Sequence, residues 1–219
     1  MNANRFIVFE GLDGAGKSTL LKLLQNELEK NEQKVTVTRE PGGTPLSEEL
    51  RSIILRKSVE APSPRTELLL YEAARAQHVD CLILPQLEAG NWVLCDRFSA
   101  SSVAFQAGGR QIRESEVEAL NSFATDGLKP ALTILLDLPY DEAKKRQEKR
   151  FISLSEQPDR MESEEQAFHE RVRKSFLDQS QRESKKWLVL SAMQSPEDLL
   201  VSLLNGMKER KLWEFSNQP

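Results

Sequence analysis

The chain has 219 residues, of which 39% are hydrophobic and 29% charged, which suits a globular body with a full core and excludes a disordered chain. Lys and Arg number 30 against 34 Asp and Glu, so the net charge of -4 excludes a globally basic nucleic-acid binder. No apolar run approaches the ~18 residues of a membrane span. The two cysteines and two histidines (Cys81, Cys95, His78, His169) offer neither a disulfide framework nor a zinc cluster, and the first residues lack an apolar signal core; a reducing, cytoplasmic setting is expected.

Phe6-Ile7-Val8-Phe9 reads as a buried strand. Gly11-Leu12-Asp13-Gly14-Ala15-Gly16-Lys17-Ser18 follows it and fits G-x-x-x-x-G-K-[ST] at every fixed position. Its glycines let successive backbone N–H groups face one anion, and the helix predicted over Lys17–Glu29 adds its positive end. Lys17 can reach the β- and γ-phosphates and Ser18 can ligate Mg²⁺; Thr19 closes the predicted ATP loop. Val35–Thr38 is a second strand, and Thr38-Arg39-Glu40-Pro41-Gly42-Gly43-Thr44 turns sharply at its carboxyl end, where ligands of such sheets bind. Ser47–Leu55 reads as a short helix capped by Ser47.

The periodicity predicts a long helix from Arg65 to about Glu88, kinked at Pro85. On it Tyr71, Arg75 and His78 share a face, and an aromatic ring beside a guanidinium can stack on and hydrogen-bond a base. The strand Trp92–Cys95 runs into Asp96-Arg97-Phe98: a carboxylate there is placed to hold Mg²⁺, and Arg97 to bridge anionic oxygens. Glu114–Thr125 is helical and Leu132–Leu138 a strand. Tyr140–Arg150 and Glu164–Ser184 are charged helices, with Phe151–Gln166 between them expected as a mobile loop. Lys144, Lys145, Arg146, Lys149, Arg150 and Arg160 flank that loop, and arginines on a closing lid stabilise charge on a transferring phosphoryl group. Leu188–Leu190 is the last strand, and Ser195 caps a final helix opened by Pro196, Glu197 and Asp198. The tail Leu212–Pro219, with Trp213 and Phe215, is expected to pack back or fray.

Strands and helices alternating in this order predict a parallel sheet covered on both faces. A phosphate-binding loop leaves the reaction open. The guanine-reading N-K-x-D of a GTP switch is absent from the sequence, and arginine-rich loops fit a kinase acting on a small phosphorylated acceptor. The rival from another class is a nucleotide-dependent binder that transfers nothing, and ADP formation separates the two.

Taken together, F-I-V-F-E-G-L-D-G-A-G-K-S, T-R-E-P-G-G-T, A-A-R-A-Q-H, D-R-F with S-S-V-A-F-Q, and D-R-M-E resemble the thymidylate kinase family from Phe6 to Glu162. The resemblance implies an α/β P-loop NTPase fold over residues 1–219, with a five-stranded parallel sheet and an Arg-rich lid at about 145–163. It implies transfer of phosphate from ATP to dTMP with Mg²⁺ held by Ser18 and Asp96, a homodimer, and no nucleic-acid or membrane partner. By position, Asp13 would meet the sugar 3′-hydroxyl, Tyr71 would stack on thymine and Arg75 would donate to its O4. Ser102 and Gln106 would line the base pocket, and Phe105 would crowd the 2′ position. Arg97, helped by Arg39 and Arg51, would hold the acceptor phosphate. Gly14 leaves the P-loop without the arginine some members carry there, so the catalytic arginine is expected from the lid: Arg146, Arg150 or Arg160.

Overall fold

The computed structural model describes residues 3–155 and 157–213. Five strands form one sheet: β1 (Phe6–Glu10), β2 (Val35–Arg39), β3 (Trp92–Asp96), β4 (Leu132–Asp137) and β5 (Trp187–Ser191). Their order across the sheet is β2-β3-β1-β4-β5, and every neighbouring pair is parallel. Alternation along the strands supplies two cores. Ile7, Phe9, Trp92 and Leu94 pack on one face with Leu20, Leu24 and Leu28 of α1 (Lys17–Lys30). Phe6, Val8, Val93 and Cys95 pack on the other, with Val79, Ile83 and Leu87. Apolar residues at nearly every position of β1, β3 and β4 are what a sheet covered on both sides requires.

The helices correct the expected boundaries. α2 (Pro45–Leu55) starts two residues before the predicted start, and Thr44 is its N-cap: the Thr44 hydroxyl accepts from the Ser47 backbone N–H. Ser47 is therefore the capped residue rather than the cap. Proline at the first helical position has no N–H to satisfy, which fits it there. The long helix is three pieces: α3 (Pro64–His78), a π-helical segment over Val79–Ile83, and α4 (Leu84–Glu88). The irregularity lies at that π segment, before Pro85. Beyond β3, α5 (Ser99–Ser102) and a second π-helical segment, Val103–Gly109, fill a stretch in which no element was expected. α6 spans Glu114–Ala124 and α7 Tyr140–Leu154, so the first residues of the expected loop are helical. Residues 159–162 of that loop form a built turn: Asp159 Oδ1 accepts from the N–H groups of Met161 and Glu162, and Glu162 Oε2 accepts from that of Asp159. α8 (Gln166–Arg182) and α9 (Pro196–Glu209) follow, the latter capped by Ser195 as expected. Trp213 meets Trp92 edge to face, so the tail packs back that far; Phe215 lies outside the described residues.

Candidate active site

β1 and β3 lie side by side at the centre of the sheet, and the loops leaving their carboxyl ends meet. After β1 the path demands glycine. Gly11 has φ +133° and a Cβ there would strike the Leu136 carbonyl; Gly14 has φ +84° and a Cβ there would lie 2.9 Å from the Ala143 carbonyl of α7. α7 thus rests directly on the loop, and Gln147 donates to the Asp13 carbonyl at 2.9 Å. Lys17, 6% exposed, donates from Nζ to the Gly11 and Leu12 carbonyls, each at 3.2 Å. Burial, then the nearby Arg97 guanidinium, lower its pKa against the pull of Asp96, Asp13 and Glu10.

Arg97 leaves β3 in the left-handed region, at φ 74°. Its Nη2 donates to Asp13 Oδ1 at 2.8 Å, and its guanidinium lies 5.0 Å from the centre of the Phe105 ring. Burial pushes the Asp13 carboxyl up, but Arg97 and Lys17 outweigh it and hold it well below the usual range. Glu10 is fully buried and accepts from the Phe98 N–H at 2.9 Å and the Ser101 hydroxyl at 2.6 Å. Burial pushes its pKa up to about 7, although Arg97, Ser101 and Phe98 oppose the shift. Ser18 donates to Asp96 Oδ2 at 3.1 Å, while Asp96 Oδ1 is buried with no hydrogen-bond partner. An orphaned carboxylate oxygen beside a hydroxyl is a donor set suited to a hard divalent cation. Among the described residues, no three His, Cys, Asp or Glu side chains cluster as a separate metal site.

Two cavities open here. One, of about 320 Å³, is lined by Gly14, Gly16, Lys17, Ser18, Thr19, Asp96, Arg39 and Arg146. The other, of about 480 Å³, is lined by Tyr71, Arg75, Ser102, Phe105, Gln106 and Leu55, with Leu154, Gln157, Asp159 and Met161 from the lid region. Asp13, Glu40, Arg51, Arg97 and Arg150 line both. The cavities therefore share a wall that carries three guanidiniums.

Most expected residues meet at this place, in ways the sequence did not disclose. Arg75 is 2% exposed and held by Glu40, Glu72, Ser102, Asn121 and the Phe98 carbonyl. Its Nη2 donates to that carbonyl, and Arg75 lines the larger cavity. Burial works against the Arg75 charge, but Glu40 and Glu72 reverse this and raise its pKa. Gln106 gives its amide to the buried carboxylate of Glu67 at 3.0 Å. Arg51 donates to the Pro41 carbonyl, and Arg39 is paired with Glu48. Arg146 donates to the Ala192 carbonyl and Arg150 pairs with Glu162.

Two residues that the sequence singled out lie outside both cavities. His78 does not join Tyr71 and Arg75 at the cavity: it is fully buried beneath the Arg39–Thr44 turn, between Thr38 Oγ1 (2.7 Å) and Glu40 Oε1 (3.0 Å). Arg160 lines neither cavity. Its Nη1 pairs with Glu67 Oε2 at 2.6 Å and its Nε donates to the Ile54 carbonyl, so the carboxylate under α3 turns it away from the phosphate loop. Glu67, Glu72, Asn121 and Arg110 were missed altogether. Glu67 lies one helical turn before Tyr71 on α3, and that spacing was the available signal.

The sequence model described as Thymidylate kinase matches residues 9–202. The chain is 56% identical over 208 residues to a thymidylate kinase of Bdellovibrio bacteriovorus, covering 95% of this chain and 97% of the relative. It is 42% identical over 207 residues to one from Enterococcus faecalis, covering 94% and 96%. Among solved structures, thymidylate kinase from Ehrlichia chaffeensis superposes with a TM-score of 0.73 at 28% identity, covering 93% of this chain and 97% of that one.

Proposed function

This chain belongs to the thymidylate kinase family, and on that premise we propose how its two cavities divide the reaction. It is a nucleoside monophosphate kinase that transfers a phosphoryl group from ATP to dTMP, giving dTDP. The smaller cavity, with residues 11–19, takes the ATP phosphates and the larger takes dTMP. The observation that carries this reading is the shared wall, which lets two anions meet end to end.

The acceptor phosphate has its second pKa near ~6, so at neutral pH its oxygen needs no strong base. Catalysis then consists of alignment and of damping the repulsion between two polyanions. Lys17 holds the donor phosphates, and Arg97, with Arg39 and Arg51, the acceptor phosphate. Arg146 and Arg150, on the helix that rests on Gly14, supply lid charge to the transferring group. Tyr71 stacks on thymine, Arg75 donates to O4, and Ser102 and Gln106 complete the pocket. Asp13 meets the 3′-hydroxyl, and Phe105, fixed against Arg97, crowds the 2′ position. Ser18 and Asp96 would hold Mg²⁺, which when bound would neutralise phosphate charge.

Residues 1–219 act as one unit, with about 145–163 as its lid. No described helix is long and apolar enough to cross a membrane. A cytoplasmic location suits the two free cysteines, one of them exposed. A homodimer is supported by Leu69 on α3 and Phe123 on α6, which are 55% and 86% exposed on two helices that touch. The deciding experiment is a coupled assay for ADP with dTMP, dUMP, dCMP and thymidine as acceptors. ADP formed only with dTMP supports the reading; ADP formation indifferent to dTMP refutes it.

A further inference from the structure

Among the described residues, Glu67 is a heavily used carboxylate that no step of the reaction requires. It is fully buried in the first turn of α3. Oε1 accepts from Gln106 Nε2 at 3.0 Å and Arg110 Nε at 3.1 Å; Oε2 accepts from Arg110 Nη2 at 3.0 Å and pairs with Arg160 Nη1 at 2.6 Å. Each partner belongs to a different stretch of chain. Gln106 and Arg110 come from the π-helical segment and its end, and Arg160 from the returning arm of the lid. Arg160 is tied further to the end of α2, its Nε to the Ile54 carbonyl and its backbone N–H to that of Leu55. Arg110 also holds the arm, through Glu164 at 2.6 Å and Met161 Sδ at 3.5 Å.

We propose that Glu67 is a positioning residue for the nucleobase: its carboxylate latches the returning arm of the lid to α3 and so sets one wall of the base pocket. The elements it gathers all face that pocket, for Leu55, Tyr71, Gln106 and Met161 line it. Tyr71, the ring assigned to stack on thymine, lies four residues further along the same helix. None of Glu67's partners lines the ATP-phosphate cavity. Removing the Glu67 charge deprives Arg160 of its carboxylate, while removing Arg160 leaves Glu67 with Arg110 but frees the lid from it. The proposal rests on the larger cavity being the dTMP site, and it separates lid anchoring by Arg160 from the lid charge of Arg146 and Arg150.

The test uses the full chain with Glu67→Gln, Glu67→Asp and Arg160→Gln. Arg160→Gln leaves Glu67 paired with Arg110, so it reports on the latch even if Glu67→Gln folds poorly. Steady-state kinetics should show KM for dTMP raised about tenfold, with kcat and KM for ATP changed less than about threefold. Without nucleotide, backbone hydrogen exchange at 159–163 should speed up in Glu67→Gln and Arg160→Gln. Glu67→Asp, which keeps the charge, should recover most of the dTMP affinity. Unchanged exchange in both variants overturns the latch; a fall in kcat with KM for dTMP unchanged overturns its assignment to the base. In the wild type, dTMP should protect the Tyr71 and Gln106 segments from exchange. If it does not, the pocket assignment itself fails, whatever the variants do.

Discussion

Glu10 is fully buried, away from solvent. Its folded pKa of about 7 lies above the ordinary 4.5, so burial favours the protonated acid. The stability this contributes is complete below pH 4.5 and fades as pH rises through 7, a loss on the order of 3 kcal/mol. Glu10→Gln should remove that loss; urea midpoints at several pH values check it, and parallel curves for mutant and wild type would refute the titration. Lys17→Ala should lower kcat by on the order of 10²-fold or more while far-UV circular dichroism stays unchanged. Wild-type turnover would remove Lys17 from the donor site. Phe105→Ala strips the surface from beneath Arg97, so it should relax the preference for dTMP over UMP; competition assays with both acceptors measure this. Lys17 was singled out by its motif and Phe105 by the family resemblance. The partners of Arg75 were not, since Glu72 lies three residues away but Glu40, Ser102 and Asn121 reach it only through the fold.

Helices and strands were legible wherever apolar periodicity had one meaning. β1, β3 and β4 are apolar nearly throughout, and α9 announces itself with Ser195, Pro196 and two acids. The π-helical segments were hidden because one extra residue per turn displaces a 3.6-residue pattern without erasing it. The lid turn was hidden because Asp159 and Glu162 build it from side-chain hydrogen bonds, which leave no hydrophobic period. At α2 the true cap makes a prediction. Thr44→Ala leaves the Ser47 N–H without its acceptor and should cost about 1 kcal/mol. Chemical denaturation reads the cost, and since α2 carries Arg51 toward both cavities, KM for dTMP should rise with it.

At the scale of the molecule, binding and stability are linked. A ligand that binds only the folded state at 100 times its dissociation constant stabilises it by about 2.7 kcal/mol. Saturating dTMP should therefore raise the thermal midpoint of the wild type, and Arg97→Ala should abolish most of that rise. An equal rise in the mutant would place the acceptor phosphate elsewhere. Phe123→Glu should shift sedimentation toward a monomer if α3 and α6 form the contact between subunits; an unchanged species would exclude that face. The parallel order of the sheet was readable from the alternation of elements, whereas the common wall of the two cavities emerges only when residues 13, 40, 51, 97 and 150 are brought together in space.

The ammonium of Lys17 folds back onto the carbonyls of Gly11 and Leu12. The loop's own peptide oxygens thus hold the cation that its motif assigns to phosphate. A phosphate oxygen that takes up this ammonium would do so in exchange for a peptide carbonyl.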